Sequence, residues 1–138
     1  MVDTGDSRMI KDQVLTEQVF TINRDLLKRY ADASGDQNPI HQDEAFAKSV
    51  GLPDVIAHGM LSMALVGKYI SDLAGGSANV IEFGARFTKP VIVPAGVDVD
   101  LTVSATVTEV AGEFATLAIT ASSAGVKVLG MAKTVIKL

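Results

Sequence analysis

From Val97 to Thr108 every odd position is apolar (Val97, Val99, Leu101, Val103, Ala105, Val107) and every even one is Asp, Thr or Ser. A period of two held over that length fits a β-strand with one dry face and one wet face. Ala111-Gly112-Glu113 interrupts it as a hairpin turn, and Ala115, Leu117, Ile119 and Ala121 take the alternation up again. Ala124-Gly125 marks the next turn, and a last strand is predicted from Val126 to about Lys137. Upstream, Val80–Thr88 reads as an earlier strand, and Pro90 and Pro94 bracket an extended link.

The segment from about Gly59 to Ala74 differs in kind. Met60, Leu61, Met63, Ala64, Leu65, Val66, Tyr69, Ile70 and Leu73 leave few polar interruptions before Gly75-Gly76. A helix apolar on nearly all sides is expected to be surrounded by protein. Before it, Val14–Ile22 suits a short strand, and Asn23 can cap a helix whose Leu26, Leu27, Tyr30 and Ala31 share one face. Gly35 supplies the left-handed stop. A second short helix fits Asp43–Ser49, with Asp43 and Glu44 at the positive end of its dipole. The expected class is α+β, an antiparallel meander of about four strands wrapped around one long apolar helix. Residues 1–12 read as a flexible arm and 13–138 as the domain.

Composition narrows the function classes. At 138 residues the chain fits one domain, and 12 Lys and Arg against 16 Asp and Glu give a net charge of −4. That balance argues against a nucleic-acid binder, which needs a basic excess to engage phosphates. With no Cys, disulfides, thiolate metal sites and cysteine nucleophiles are excluded together. Met1 to Asp12 has no apolar core for a signal peptide, and no apolar run approaches the roughly 18 residues of a membrane helix. A soluble cytoplasmic domain is the expectation.

The chain has two histidines, His41 and His58. His41 lies in Ser34-Gly35-Asp36-Gln37-Asn38-Pro39-Ile40-His41-Gln42-Asp43, where Asn38-Pro39 forces a turn. Asp36 and His41 stand on opposite sides of that turn and can converge on one point. A carboxylate and an imidazole so placed can hold a water and exchange protons with it. The alternative is a turn whose Asp and Asn cap backbone groups, with an incidental surface His. His58 lies in Ile56-Ala57-His58-Gly59-Met60, at the start of the apolar helix. The free first-turn amides there carry partial positive charge, and an oxygen could come close to the Gly59 N–H. A thioester carbonyl held there would be polarised. The alternative is a glycine needed for packing and a His58 that is satisfied and partly buried. Ser62, one turn on, suits packing or the same pocket. A metal site from Asp36, His41 and His58 lacks clustered carboxylates or thiolates. A triad built on Ser62 or Ser34 lacks a nucleophile elbow.

The run Tyr30-Ala31-Asp32-Ala33-Ser34-Gly35-Asp36-Gln37-Asn38-Pro39-Ile40-His41-Gln42-Asp43 resembles the signature of the MaoC-like (R)-specific enoyl-CoA hydratases, known as hydratase 2. The resemblance extends to Ala57-His58-Gly59-Met60 and Arg86-Phe87-Thr88-Lys89-Pro90-Val91, and covers the domain from about residue 13. Within that family the chain looks most similar to the catalytic B subunit of (3R)-hydroxyacyl-ACP dehydratases. The resemblance implies a hot-dog fold and dimers whose sheets join side by side. It implies a catalytic dyad of Asp36 and His41 acting on the water added to C3 of a trans-2-enoyl thioester, or removing it in reverse. Gly59 matches the donor to the thioester carbonyl, and Asn38 a motif position that shapes the dyad loop; with Ser62 they make up the expected substrate-binding set. Many relatives carry Gly-Asp where this chain has Pro94-Ala95-Gly96-Val97.

The expected activity is therefore that of a hydro-lyase, with no metal and no organic cofactor. Expected partners are an acyl-CoA or acyl carrier protein thioester and a second hot-dog subunit, identical or different, with no nucleic acid and no membrane. Lys68, Arg86 and Lys89 could meet the carrier's phosphate, or be solvated surface charges. A hot-dog thioesterase would direct water at the carbonyl carbon and release free thiol. A non-catalytic acyl-binding subunit of a heterodimer would have no need of an intact Asp36/His41 pair.

Overall fold

The computed structural model describes residues 8–138, so residues 1–7 of the expected arm lie outside the described residues. From residue 12 onward the chain is already tied to the sheet. The Asp12 N–H donates to the Val107 carbonyl at 2.7 Å and the Leu15 N–H to Ala105 at 2.8 Å. The expected first strand becomes regular only at β1 (Gln18–Ile22). Val14 bridges Thr106 while Gln18 faces Val103, so four steps on one strand match three on the other. That extra residue is a β-bulge, and the Thr16 carbonyl within it accepts from the Tyr69 hydroxyl at 2.7 Å.

The helices start and stop where their side chains dictate. Asn23 Oδ1 accepts from the Leu26 N–H at 2.9 Å and opens α1 (Arg24–Ser34), and Gly35 closes it at φ 83°, donating to the Ala31 carbonyl. Asn38 Oδ1 accepts from the Ile40 N–H and starts a single 3₁₀ turn, Pro39–His41. Asp43 Oδ1 accepts from the Phe46 N–H at 3.0 Å and opens α2 (Glu44–Ser49). The apolar helix is α3 (Gly59–Ala74).

Six antiparallel strands make one sheet: β1, β2 (Val80–Phe87), β3 (Val99–Ala111), β4 (Phe114–Ser123), β5 (Val126–Lys127) and β6 (Leu129–Lys137). Its order is β1-β3-β4-β6-β2, with the short β5 beside β4. The alternating residues Leu101, Val103, Ala105 and Val107 of β3 and Ala115, Leu117, Ile119 and Ala121 of β4 all point into the core, against Leu61, Val66, Tyr69 and Ile70 of α3. The hot-dog arrangement that the resemblance implies, a helix held in a curved antiparallel sheet, is the one observed.

Three details differ from the sequence reading. The strand predicted over Val126–Lys137 breaks at Val128. Its N–H donates to Ala121 of β4, while its carbonyl accepts from Thr88 beyond β2, so the chain changes partners there. β2 follows the helix directly yet sits at the sheet edge beside β6, so the order is not a simple meander. Finally, α3 is not covered all round. Met60 is 57% exposed, and Ala64, Lys68 and Asp72 continue an open stripe at four-residue spacing. A single sheet cannot enclose a whole helix.

Among the described residues, no helix is long and apolar enough to cross a membrane.

Candidate active site

The site is assembled on the segment Val55–His58, which acts as a backbone clamp. Ile56 and Ile92 form an isolated antiparallel bridge, flanked by hydrogen bonds from the Ala57 N–H to Val91 at 2.9 Å and from the Val93 N–H to Val55 at 2.8 Å. The Ile56 N–H also donates to the Ile40 carbonyl at 3.2 Å, which fastens the 3₁₀ turn to the clamp. Arg24, at the start of α1, braces the same region. Its Nε donates to the Val93 carbonyl at 2.6 Å, and its Nη2 lies 2.9 Å from Asp54 and 3.5 Å from Glu44.

His41 is buried, and its Nδ1 lies 2.7 Å from the Ile56 carbonyl. A carbonyl can only accept, so Nδ1 carries the proton and Nε2 is left as the basic nitrogen. Asp36 sits in the loop after α1 and is exposed. Its N–H donates to Ser34 Oγ at 3.1 Å and its Oδ1 accepts from the Asn38 N–H at 3.2 Å. These local bonds hold the loop open as an Asx turn. A donor atom of Asp36, one of His41 and one of His58 lie within 4.8 Å of one another. The carboxylate and the imidazole are thus close enough to share one water through hydrogen bonds of ordinary length, about 2.8 Å.

Next to His41 a cavity of about 330 Å³ opens, lined mostly by carbon. Its walls include His41, Ile56, Gly59, Ser62, Phe87, Val91 and Leu129. Gly59 starts α3, and no side chain caps that helix; the Leu61 and Ser62 N–H groups donate to the His58 carbonyl, and the Gly59 and Met60 N–H groups have no partner among the described residues. A Cβ at Gly59 would stand 3.2 Å from the Phe87 ring, so the absent side chain lets that ring pack closely over the start of α3. Of the residues singled out by sequence, His41, Gly59 and Ser62 line the cavity, and Asp36 flanks His41. Asn38 does not line it; its side chain caps the 3₁₀ turn that presents His41. Phe87, Thr88, Lys89 and Pro90 line it as well. Lys89 was offered by sequence as a carrier contact, but Phe87 and Thr88 were visible only as part of a family-like run, because nothing local shows that β2 ends beside α3.

His58 is 1% exposed, far from the satisfied and partly buried residue expected. Its Nε2 lies 3.1 Å from the Asp36 carbonyl, while its Nδ1 has no hydrogen-bond partner among the described residues. Burial lowers its pKa below the ordinary imidazole value, with the bond to the Asp36 carbonyl opposing and the nearby His41 adding to the fall. Its ring stacks on His41 with centroids 3.9 Å apart and planes at 24°.

A metal ion fits this arrangement poorly. His41 Nδ1 and His58 Nε2 are both engaged with carbonyls. The nitrogens that remain belong to two rings stacked 3.9 Å apart, with one exposed carboxylate beside them and no thiolate, a poor match to the four converging ligands of a zinc site.

A family profile for the MaoC like domain matches residues 6–123. The chain belongs to the MaoC-like domain family. Among solved structures, this MaoC-like domain superimposes on a MaoC-like dehydratase with a TM-score of 0.91 at 32% identity, covering 94% of this chain and 41% of that one. It matches R-hydratase PhaJ1 from Pseudomonas aeruginosa with a TM-score of 0.79 at 30% identity, covering 94% of this chain and 81% of that one. In sequence it is 39% identical over 77 residues to 3-hydroxyacyl-thioester dehydratase X of Mycobacterium tuberculosis, covering 56% of this chain and 26% of that protein. The match thus spans about a quarter of the length of that protein and of 3-hydroxyacyl-thioester dehydratase Y from the same organism.

Proposed function

We propose that this MaoC-like domain reversibly hydrates trans-2-enoyl thioesters to (3R)-hydroxyacyl thioesters, on coenzyme A or acyl carrier protein, in fatty-acid metabolism. The observation that carries the reading is the gathering of the Asp36 carboxylate and the His41 imidazole within 4.8 Å, beside a carbon-lined cavity that holds Gly59. The acyl chain occupies the cavity, and the thioester carbonyl lies toward the Gly59 N–H. Water between Asp36 and His41 attacks C3 and gives its proton to the pair. The displaced electron pair moves through C2 toward the thioester oxygen, where the Gly59 N–H stabilises it. A proton from the pair then returns to C2, so the pair ends as it began. Dehydration is the same path reversed. Asn38 holds the turn, and Ser62 is placed to shape the cavity wall beside the reacting atoms.

The domain acts as a dimer in this reading, with an identical or a second hot-dog subunit. The open sheet edge at β2 supports it, with Ile81 and Phe87 more than half exposed there.

The test follows the loss of conjugated enoyl-thioester absorbance across trans-2-enoyl-CoA substrates from short to long. Formation of the 3R alcohol, abolished by His41→Ala, is the expected result. A folded protein that releases free thiol instead would be a thioesterase, and one that leaves every enoyl-CoA and enoyl-carrier-protein substrate untouched would overturn the hydration reading. Asp36→Asn keeps the shape and removes the charge. It is expected to lose activity by about 10²-fold or more with an unchanged melting temperature. Unaltered activity there would remove Asp36 from the mechanism.

A further inference from the structure

We infer that His58 is a positioning residue for the Asp36–His41 pair, its Nε2–H holding the Asp36 carbonyl while the face of its ring supports the His41 imidazole. The inference rests on the hydration reading above and deepens it.

Asp36 is exposed and lies in a loop, a poor place from which to fix a carboxylate within a fraction of an ångström. Its local bonds to Ser34 and Asn38 shape the loop but do not tie it to the rest of the domain. The bond from His58 does. It spans 22 positions and joins the loop to the residue that precedes α3, the most buried helix. The same ring lies flat against His41, and Tyr30 of α1 meets it edge to face at 4.8 Å. One side chain therefore touches both members of the pair and fixes their spacing.

The protonation state follows from the partners. The carbonyl of Asp36 accepts, so Nε2 carries the proton and Nδ1 is a bare lone pair. That Nδ1 is buried and has no partner among the described residues. A buried acceptor without a donor destabilises a fold, and an apolar ring of the same size would avoid the cost. The arrangement has a use, however. A neutral ring stacked on His41 leaves room for charge when His41 takes up a proton, where a second imidazolium would repel it.

The experiment compares steady-state kinetics of the intact chain and two variants on the trans-2-enoyl-CoA that the unaltered chain turns over fastest. His58→Phe keeps the aromatic face and removes the donor. His58→Gln keeps an N–H within reach of the Asp36 carbonyl and removes the ring. His58→Phe is expected to fold with an equal or higher melting temperature, since the orphan Nδ1 is gone. Its kcat is expected to fall by about tenfold to a hundredfold, the scale of a small misplacement of a reacting group, with KM nearly constant. His58→Gln is expected to retain more kcat than His58→Phe. A folded His58→Phe with unchanged kcat overturns the inference, as does a loss in KM alone or a loss that Gln does not lessen. If the Phe variant does not fold, the Gln variant decides: a kcat near that of the unaltered chain supports the role, and one as low as that of His41→Ala overturns it. Silence of the unaltered chain on every enoyl thioester would show first, before any variant, and would overturn the hydration reading together with this inference.

Discussion

A buried histidine kept neutral leaves a mark on stability. The pKa of His58 is lowered by burial in the folded state, so below pH 6.5 the unfolded chain binds a proton that the folded chain refuses. Stability contributed by the neutral ring is therefore complete above that pH and falls as the pH drops toward the folded-state value, with a slope of at most about 1.4 kcal/mol per pH unit. Urea denaturation from pH 7 to pH 5 is expected to show this fall, and His58→Phe to flatten it. An identical slope in the variant would mean that another group is responsible. At this scale the sequence was informative only where partners are close in the chain. The turn between Asp36 and His41 could be read from Asn38-Pro39, because five residues and one proline define it. The environment of His58 could not, because its partners are a backbone carbonyl 22 residues away and a ring 17 residues away.

At the scale of elements, Arg24 joins α1, α2 and the two segments of the clamp through one guanidinium. Its contacts are half-buried, so they are screened less than the surface pairs Lys28–Asp32 and Arg29–Asp25. Arg24→Ala leaves the Asp54 carboxylate and the Val93 carbonyl without this donor. It is expected to destabilise the domain by about 1.5–3 kcal/mol, the worth of hydrogen bonds to charged groups, whereas Lys28→Ala should change little. Denaturation midpoints of the two variants, measured side by side, would settle it; equal midpoints would remove the brace. Elements with strong periodicity were legible for the complementary reason. Alternation in β3 and β4 is a local consequence of which face is dry, and Gly59–Ala74 is apolar because most of its faces meet protein. The break at Val128, the bulge before β1 and the left-handed backbone at Met131, with φ 50°, where β6 shifts register against β2, are set by strands paired from afar. No local pattern encodes them.

For the whole molecule the decisive surface is the unpaired edge of β2. Ile81 is 55% and Phe87 56% exposed, and Phe87 also lines the cavity, so a subunit joined along that edge would stand beside the site. Light scattering is expected to give a mass of at least twice the 14.5 kDa of one chain, or a monomer that pairs on addition of a second hot-dog subunit. Ile81→Glu, placing charge on the edge, is expected to weaken that pairing. A monomer with full hydratase activity would remove the dimer from the reading. The hot-dog architecture itself was legible in outline, since one apolar helix and a long alternating sheet leave few ways to bury both. What covers the open stripe of α3 was not, because periodicity reports that a face is apolar and not what lies against it.

Ile56 carries two duties on separate atoms. Its carbonyl fixes the proton on His41 Nδ1, while its side chain forms part of the cavity wall. The first duty belongs to the main chain and is indifferent to what the residue is, provided it is not proline, whose missing N–H would free Ile40. The second depends wholly on side-chain size. If the domain hydrates enoyl thioesters as proposed, a population of variants at this position would wander through acyl groups of different bulk while the imidazole keeps its orientation, so that preference drifts without the chemistry being rebuilt.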